Sequence, residues 1–179
     1  MGILKNNTKL HQKGLTLLEV LISMLVLSIG LFGLAGLQSS SLRANNSANH
    51  RTIASMLAAD ILDRMRANPT QLASDGYEIT SRNAYPIDSA IIGRCKNVGT
   101  GECTPADLKE YDLNQWIDNT FKLKQLPNAT GGITIDTVNA STKTYRVLIS
   151  ITWDDFSAAS GGLGGRGSEN FSYTSIVKL

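Results

Sequence analysis

The sequence predicts an α+β protein in which a long N-terminal helix, apolar and then amphipathic, packs on a small antiparallel β-sheet. Three observations predict it. An apolar run from Leu15 to Leu37 carries one charge, Glu19. An amphipathic pattern continues from it without a break as far as Pro69. The C-terminal third alternates β-branched and aromatic residues with polar ones, between turn-forming segments.

The leader, Met1 to Gly14, is short and polar and holds Lys5, Lys9 and Lys13 with no acid. The run after it is long enough to cross a bilayer at about 20 residues. Its positive N-terminal flank predicts a cytoplasmic leader and a bulk domain outside the inner membrane. No A-x-A site closes the run, which argues against a conventional cleaved signal peptide. Gly30, Gly33 and Gly36 recur every third residue, a small-residue face and the point where the helix is expected to loosen. In the amphipathic half, Leu42, Ile53, Met56, Leu57, Ile61 and Met65 fall near one face. The stem helix is expected over 15–68, because Pro69 disfavours the helical conformation of Asn68. The rest, 69–179, reads as a globular head.

Within that head, residues 70–103 read as loop with short strands. A second helix follows in "TPADLKEYDLNQWIDNTFKLK", with Thr104 as its cap, Pro105 at its first position and Asp107 at the positive end of its dipole. Three strand segments complete the chain: "GGITIDTVN", "KTYRVLISITWDD" and "ENFSYTSIVKL". Ile133 and Ile135 alternate, with Val138 off by one, and so do Val147, Ile149, Ile151 and Trp153. The segment "SAASGGLGGRGSE" is a Gly-rich connection that lacks the ending of a phosphate-binding loop.

The chain has 179 residues and a net charge of +2, which becomes −1 without the leader lysines. The basic pI therefore does not argue for nucleic acid. Two cysteines, Cys95 and Cys103, lie in "CKNVGTGEC". Outside the inner membrane a disulfide is the default, and closing so short a loop is worth about 2–3 kcal/mol. Two thiols alone make no zinc site. The only histidines are His11, in the leader, and His50, on the stem, so the head holds no imidazole for a Ser–His triad. No enzyme, metal or cofactor is expected. Asp154 and Asp155 read as a solvated pair near a turn, and Asp60, Asp63, Arg64 and Arg66 as surface or inter-subunit charges. Trp116 and Trp153 read as core aromatics.

The stretch "KGLTLLEV", Lys13 to Val20, resembles the start of type IV prepilins: a basic leader ending in glycine, an apolar stem directly after it, and a Glu at the stem's fifth residue. The resemblance implies a pilin-like fold. It also implies cleavage by prepilin peptidase between Gly14 and Leu15 and N-methylation of Leu15, where the family usually has Phe. Glu19 becomes the fifth mature residue, about 6 Å along the axis from Leu15. A carboxylate within a membrane helix costs about 2.5–3.5 kcal/mol at its centre and less near its edge. Pairing with the α-amine of a neighbour's Leu15 offsets that cost and fixes axial register in a filament.

Three further stretches, "LSIGLFGLAGLQ", "AADILDRMRANP" and "CTPADLKEYDLNQW", are similar to PilV-type minor pilins, the type IV pilus modification proteins. That implies a role in priming pilus assembly or incorporation into the filament, in support of pilus biogenesis and twitching motility. Implied partners are other minor pilins and the major pilin through the stem, prepilin peptidase, the inner-membrane assembly platform and the membrane itself; no nucleic acid is directly implied. The expected location is the inner membrane, single-pass with a periplasmic head, and then the pilus. Two rivals remain. A type II secretion pseudopilin shares the leader, stem and Glu19. A membrane-anchored periplasmic binding protein or adhesin would keep its leader and join no filament.

Overall fold

The computed structural model describes residues 16–74, 76–82, 84–96, 101–118, 125–155 and 167–179. Its elements are α1 (Leu17–Ala67), α2 (Pro69–Ala73), β1 (Ile79–Arg82), α3 (Ser89–Lys96), α4 (Pro105–Ile117), β2 (Thr130–Asn139), β3 (Thr144–Asp155) and β4 (Gly167–Lys178). The four strands form one antiparallel sheet in sequence order. The chain divides into two compact units, 1–42 and 43–179, so the long helix contributes to both.

In the first unit α1 is apolar all round, and its large side chains from Leu17 to Leu42 are exposed. Such a surface suits lipid, where a helix satisfies its backbone internally. The hydroxyls of Ser23 and Ser28 donate to the carbonyls of Glu19 and Met24, both at 2.7 Å, so these polar groups also close within the helix. The helix is unbroken through Gly30, Gly33 and Gly36. Among the described residues, no side chain comes within 4 Å of where their Cβ atoms would lie.

In the second unit α1 buries one stripe: Ala54, Leu57, Ala58, Ile61, Leu62 and Met65. The spacing is that of a single helical face. It joins one core with Leu113, Trp116 and Ile117 of α4 and with the inner face of the sheet, where Ile133, Ile135, Val147, Ile149, Ile151, Trp153 and Val177 are buried. The register sets Ile133 opposite Ile149 and Ile135 opposite Val147. On the other side of β3, Ile151 faces Phe171 and Ile149 faces Tyr173. Burying a side chain of this size contributes about 1.5–3 kcal/mol.

Several expectations are corrected. Met56 is 67% exposed, since one residue step turns it about 100° from Leu57. Leu42 is also exposed and belongs to the first unit. Val138 falls on the opposite face from Ile133 and Ile135 and is exposed. Residues 70–103 hold more regular structure than loop and short strands, namely α2, β1 and α3. Asp88 starts α3: its carboxylate accepts from the N–H of Ala90 at 2.9 Å and its carbonyl from that of Ile91. The long helix ends at Ala67, and Asn68 leaves it at φ −124°, ψ 67°, ahead of Pro69.

Candidate functional site

Two places concentrate the chemistry of this chain: the start of α1, and a polar seam between the end of α1 and α4. Gly14 and Leu15, the expected cleavage pair, lie outside the described residues. Glu19 is exposed in the first turn of α1, where its charge also suits the positive end of the helix dipole. Thr16 stands just ahead of the helix. Its hydroxyl accepts from the N–H of Glu19 at 3.3 Å, and its carbonyl accepts from the N–H of Val20 at 3.3 Å. Thr16 is thus the N-cap, and T-L-L-E has the spacing of a capping box. In the cap it is the backbone N–H of Glu19 that is held, while its carboxylate faces the positive end of the dipole. The S/T-x-x-E spacing that marks this cap is legible in the sequence.

The seam is built by the end of α1, Tyr77 and α4. Arg64 Nη1 donates to Asp112 Oδ1 at 3.0 Å, and its Nε donates to Asp60 Oδ2 at 3.2 Å. Tyr77 donates its hydroxyl proton to Asp112 Oδ2 at 2.8 Å. Asn68 Nδ2 donates to Tyr77 Oη at 3.3 Å and to the carbonyl of Pro105 at 2.7 Å. Asp112 is buried, so both its oxygens are satisfied by a cation and a phenol. Burial and the Asp112 charge hold the Tyr77 phenol well above its usual range. Arg64, expected among the surface charges, is instead half-buried and bridges to α4, because only a cation compensates the buried carboxylate. Beside the seam, Trp116 donates Nε1–H to the carbonyl of Leu57 at 3.0 Å, while both Trp116 and Trp153 are core residues.

The disulfide Cys95–Cys103, with Cα atoms 5.0 Å apart, links the end of α3 to the residue before the cap of α4. Thr104 caps α4 by accepting from the N–H of Asp107 at 3.2 Å. Arg94 grips Asp107 with two donors, Nη2 to Oδ1 at 2.9 Å and Nε to Oδ2 at 3.2 Å. That fork and the Thr104 cap keep the Asp107 carboxyl below its usual range. Tyr85 is fastened to the other end of α4: its N–H donates to Asp118 Oδ2 at 2.7 Å and its carbonyl accepts from Asn114 Nδ2 at 2.7 Å. Burial and a hydrogen bond with Glu110 push its phenol up to about 12.

Asp154 and Asp155 do point to opposite faces, but they are not both solvated. Asp155 continues the inward phase of β3, is buried, and lies 3.8 Å from Nδ1 of His50 on α1. Asp154 Oδ2 accepts from Asn128 Nδ2 at 2.7 Å on the outside. Among the described residues, no group of three or more His, Cys, Asp or Glu side chains is placed to hold a metal ion.

An apolar stem helix followed by a small antiparallel sheet head is a pilin-like α+β build. Residues 36–114 match the Tt1218-like family, described as type IV pilin Tt1218, and residues 9–35 match the prokaryotic N-terminal methylation motif. The chain is thus similar to type IV pilins, and carries their N-terminal methylation motif, over residues 9–114. The motif implies processing by prepilin peptidase and assembly into a pilus with other pilins. No match was found among curated proteins or among solved structures.

Proposed function

We propose that this chain is a PilV-type minor pilin of a type IV pilus. In this reading, prepilin peptidase cuts between Gly14 and Leu15 and the new Leu15 amine is methylated. The chain is organised as a leader over 1–14, a stem over 15–68 and a head over 69–179. The stem crosses the inner membrane once, with the head in the periplasm, until assembly draws it into the pilus. There it packs against other minor pilins and the major pilin, delivered through the inner-membrane assembly platform. It primes pilus assembly or enters the filament, supporting twitching motility.

One observation carries the minor-pilin reading: the two stretches most similar to PilV-type proteins meet in the fold. Arg64 and Asn68, of "AADILDRMRANP", bond to Asp112 and Pro105, of "CTPADLKEYDLNQW". The similarity thus falls on one packed unit rather than on scattered segments. Imaging pili on a deletion strain, with retraction active and then blocked, tests the role. Pili lost in the first case and restored in the second are expected; unchanged pilus number and motility would refute it.

Glu19 sets axial register by pairing with the Leu15 amine of a neighbour. Its place in the capping box supplies a sharp test, since Gln keeps the box and removes the charge. Glu19→Gln and Glu19→Ala are both expected to be cleaved to a Leu15 N-terminus yet fail to enter filaments. Wild-type incorporation of Glu19→Gln would assign the residue to helix capping alone.

A further inference from the structure

Among the described residues the sheet ends at β1, which pairs only with β2, and at β4, which pairs only with β3. All three pairings are antiparallel, so β1 and β4 run in opposite directions. A second head facing the same way therefore brings its β1 alongside β4 as an antiparallel partner, and an edge strand can be extended in that arrangement. β4 holds its register over 12 residues without a bulge or a proline, two of the devices that blunt an edge.

The side chains of the two edges match. On β4, Val177 is buried, while Ile176 and Lys178 point to the outer face and Ile176 is 63% exposed. Beside β1 lies an open cleft of about 290 Å³ lined by Glu78, Ile79, Thr80, Ile133 and Thr134. Ile79 packs on the core opposite Ile133, so Glu78 and Thr80 fall on the outer face, and both are exposed. Glu78 Oε1 accepts from the N–H of Ile135 at 3.4 Å, which keeps the carboxylate at this cleft. Strand phase admits a register between copies with Glu78 opposite Lys178, Ile79 opposite Val177 and Thr80 opposite Ile176. It sets a carboxylate against an ammonium, keeps both inner apolar residues on the core side and lays Ile176 at the cleft. The register shift between Ile79 and Arg82 ends the match beyond Thr80.

We propose that these edges form a self-association surface: β4 of one copy adds to β1 of a second copy of this chain, with Lys178 on Glu78 and Ile176 in the cleft. The two patches differ, so the contact is heterologous and can repeat in one direction, as in a filament. It does not rest on the PilV-type reading. Pili unaffected by deletion of the chain would refute that role and leave this contact standing.

The test uses the full chain in lipid vesicles. Energy transfer between donor-labelled and acceptor-labelled copies is followed over a lipid dilution series for the wild type, Glu78→Lys, Lys178→Glu and the double exchange. Each single reversal sets like charges together and is expected to weaken association about five-fold at low salt. The double exchange is expected to restore it. Ile176→Asp should also weaken association while leaving urea unfolding unchanged, because the site is exposed. Register is read by oxidative cross-linking: Thr80→Cys joined with Ile176→Cys is expected to link copies. Thr80→Cys joined with Ser172→Cys, about 13 Å further along β4, is expected not to. Wild-type association in every variant would overturn the proposal and leave the stems as the contact. A double exchange as weak as the single reversals would overturn it too, as would a wild-type chain that stays monomeric. Vesicles that also carry the major pilin test the other occupant. Transfer to the major pilin alone, with none between copies of this chain, would again overturn the proposal.

Discussion

From Leu17 to Leu42 every large apolar side chain of α1 is exposed, whereas from Ala54 to Met65 the apolar stripe is buried against the head. The backbone is one regular helix throughout. The difference lies in what surrounds the side chains. The upper stripe finds α4 and the sheet within its own chain. The first half, Leu17 to Leu42, contributes no residue to that core among the described residues, and its apolar surface suits lipid or other subunits. Thus the second half of the helix stabilises the head, whereas the first half leaves its apolar side chains exposed.

The largest test of this contrast is Trp116→Ala beside Leu25→Ala. Removing the fully buried indole, with its bond to Leu57, should cost the head about 3–5 kcal/mol in urea unfolding. Leu25→Ala is exposed and should stay within about 0.5 kcal/mol. Comparable losses would mean the two halves are not independent. Leu25→Arg should reverse the pattern. It leaves head stability unchanged but weakens membrane insertion by about 2.5–3.5 kcal/mol, read as protein released by carbonate extraction. Asp112→Ala comes next, at about 2–3 kcal/mol, because it strands the half-buried Arg64 and the Tyr77 hydroxyl. Wild-type stability there would show the seam to be incidental.

The smallest effect is a pH dependence. The folded Asp107 carboxyl titrates below its unfolded value, so its contribution is present above about pH 4, the unfolded reference. It is lost as pH falls through the lower folded value. Arg94→Gln should flatten the acid limb of the stability curve in that window, and an identical limb would dismiss the fork as a stabilising contact.

Local signals decided how much of this was legible. The cap at Thr104, the proline after it and the acid at Asp107 define the start of α4 within four residues, and the structure begins the helix at Pro105. Period-two patterning set Val147 through Trp153 on the inner face; extended by one step, it also turns Asp155 inward, where a solvated aspartate had been expected. The short α3 lacked enough length for a periodic signal. Its ends are held by the Asp88 cap, the disulfide and Arg94. Arg64 could not be told from its neighbours, since Asp60, Asp63 and Arg66 share its local composition and only the distant Asp112 distinguishes it.

By itself the sequence determined the features that depend on neighbours along the chain. These are the apolar stem with one acid near its start, the stop before Pro69, the cap of α4, the alternating strands and the prepilin-like junction. Hydrophobic period, capping and proline sterics act within a few residues, so they can be read in one dimension. Only the tertiary structure decided the pairing of Arg64 with Asp112 across 48 positions, of His50 with Asp155, and of Trp116 with the Leu57 carbonyl. Those contacts depend on which faces meet once the core has formed. A buried charge is costly unless a partner from a distant segment offsets its desolvation, as Arg64 and Tyr77 do for Asp112.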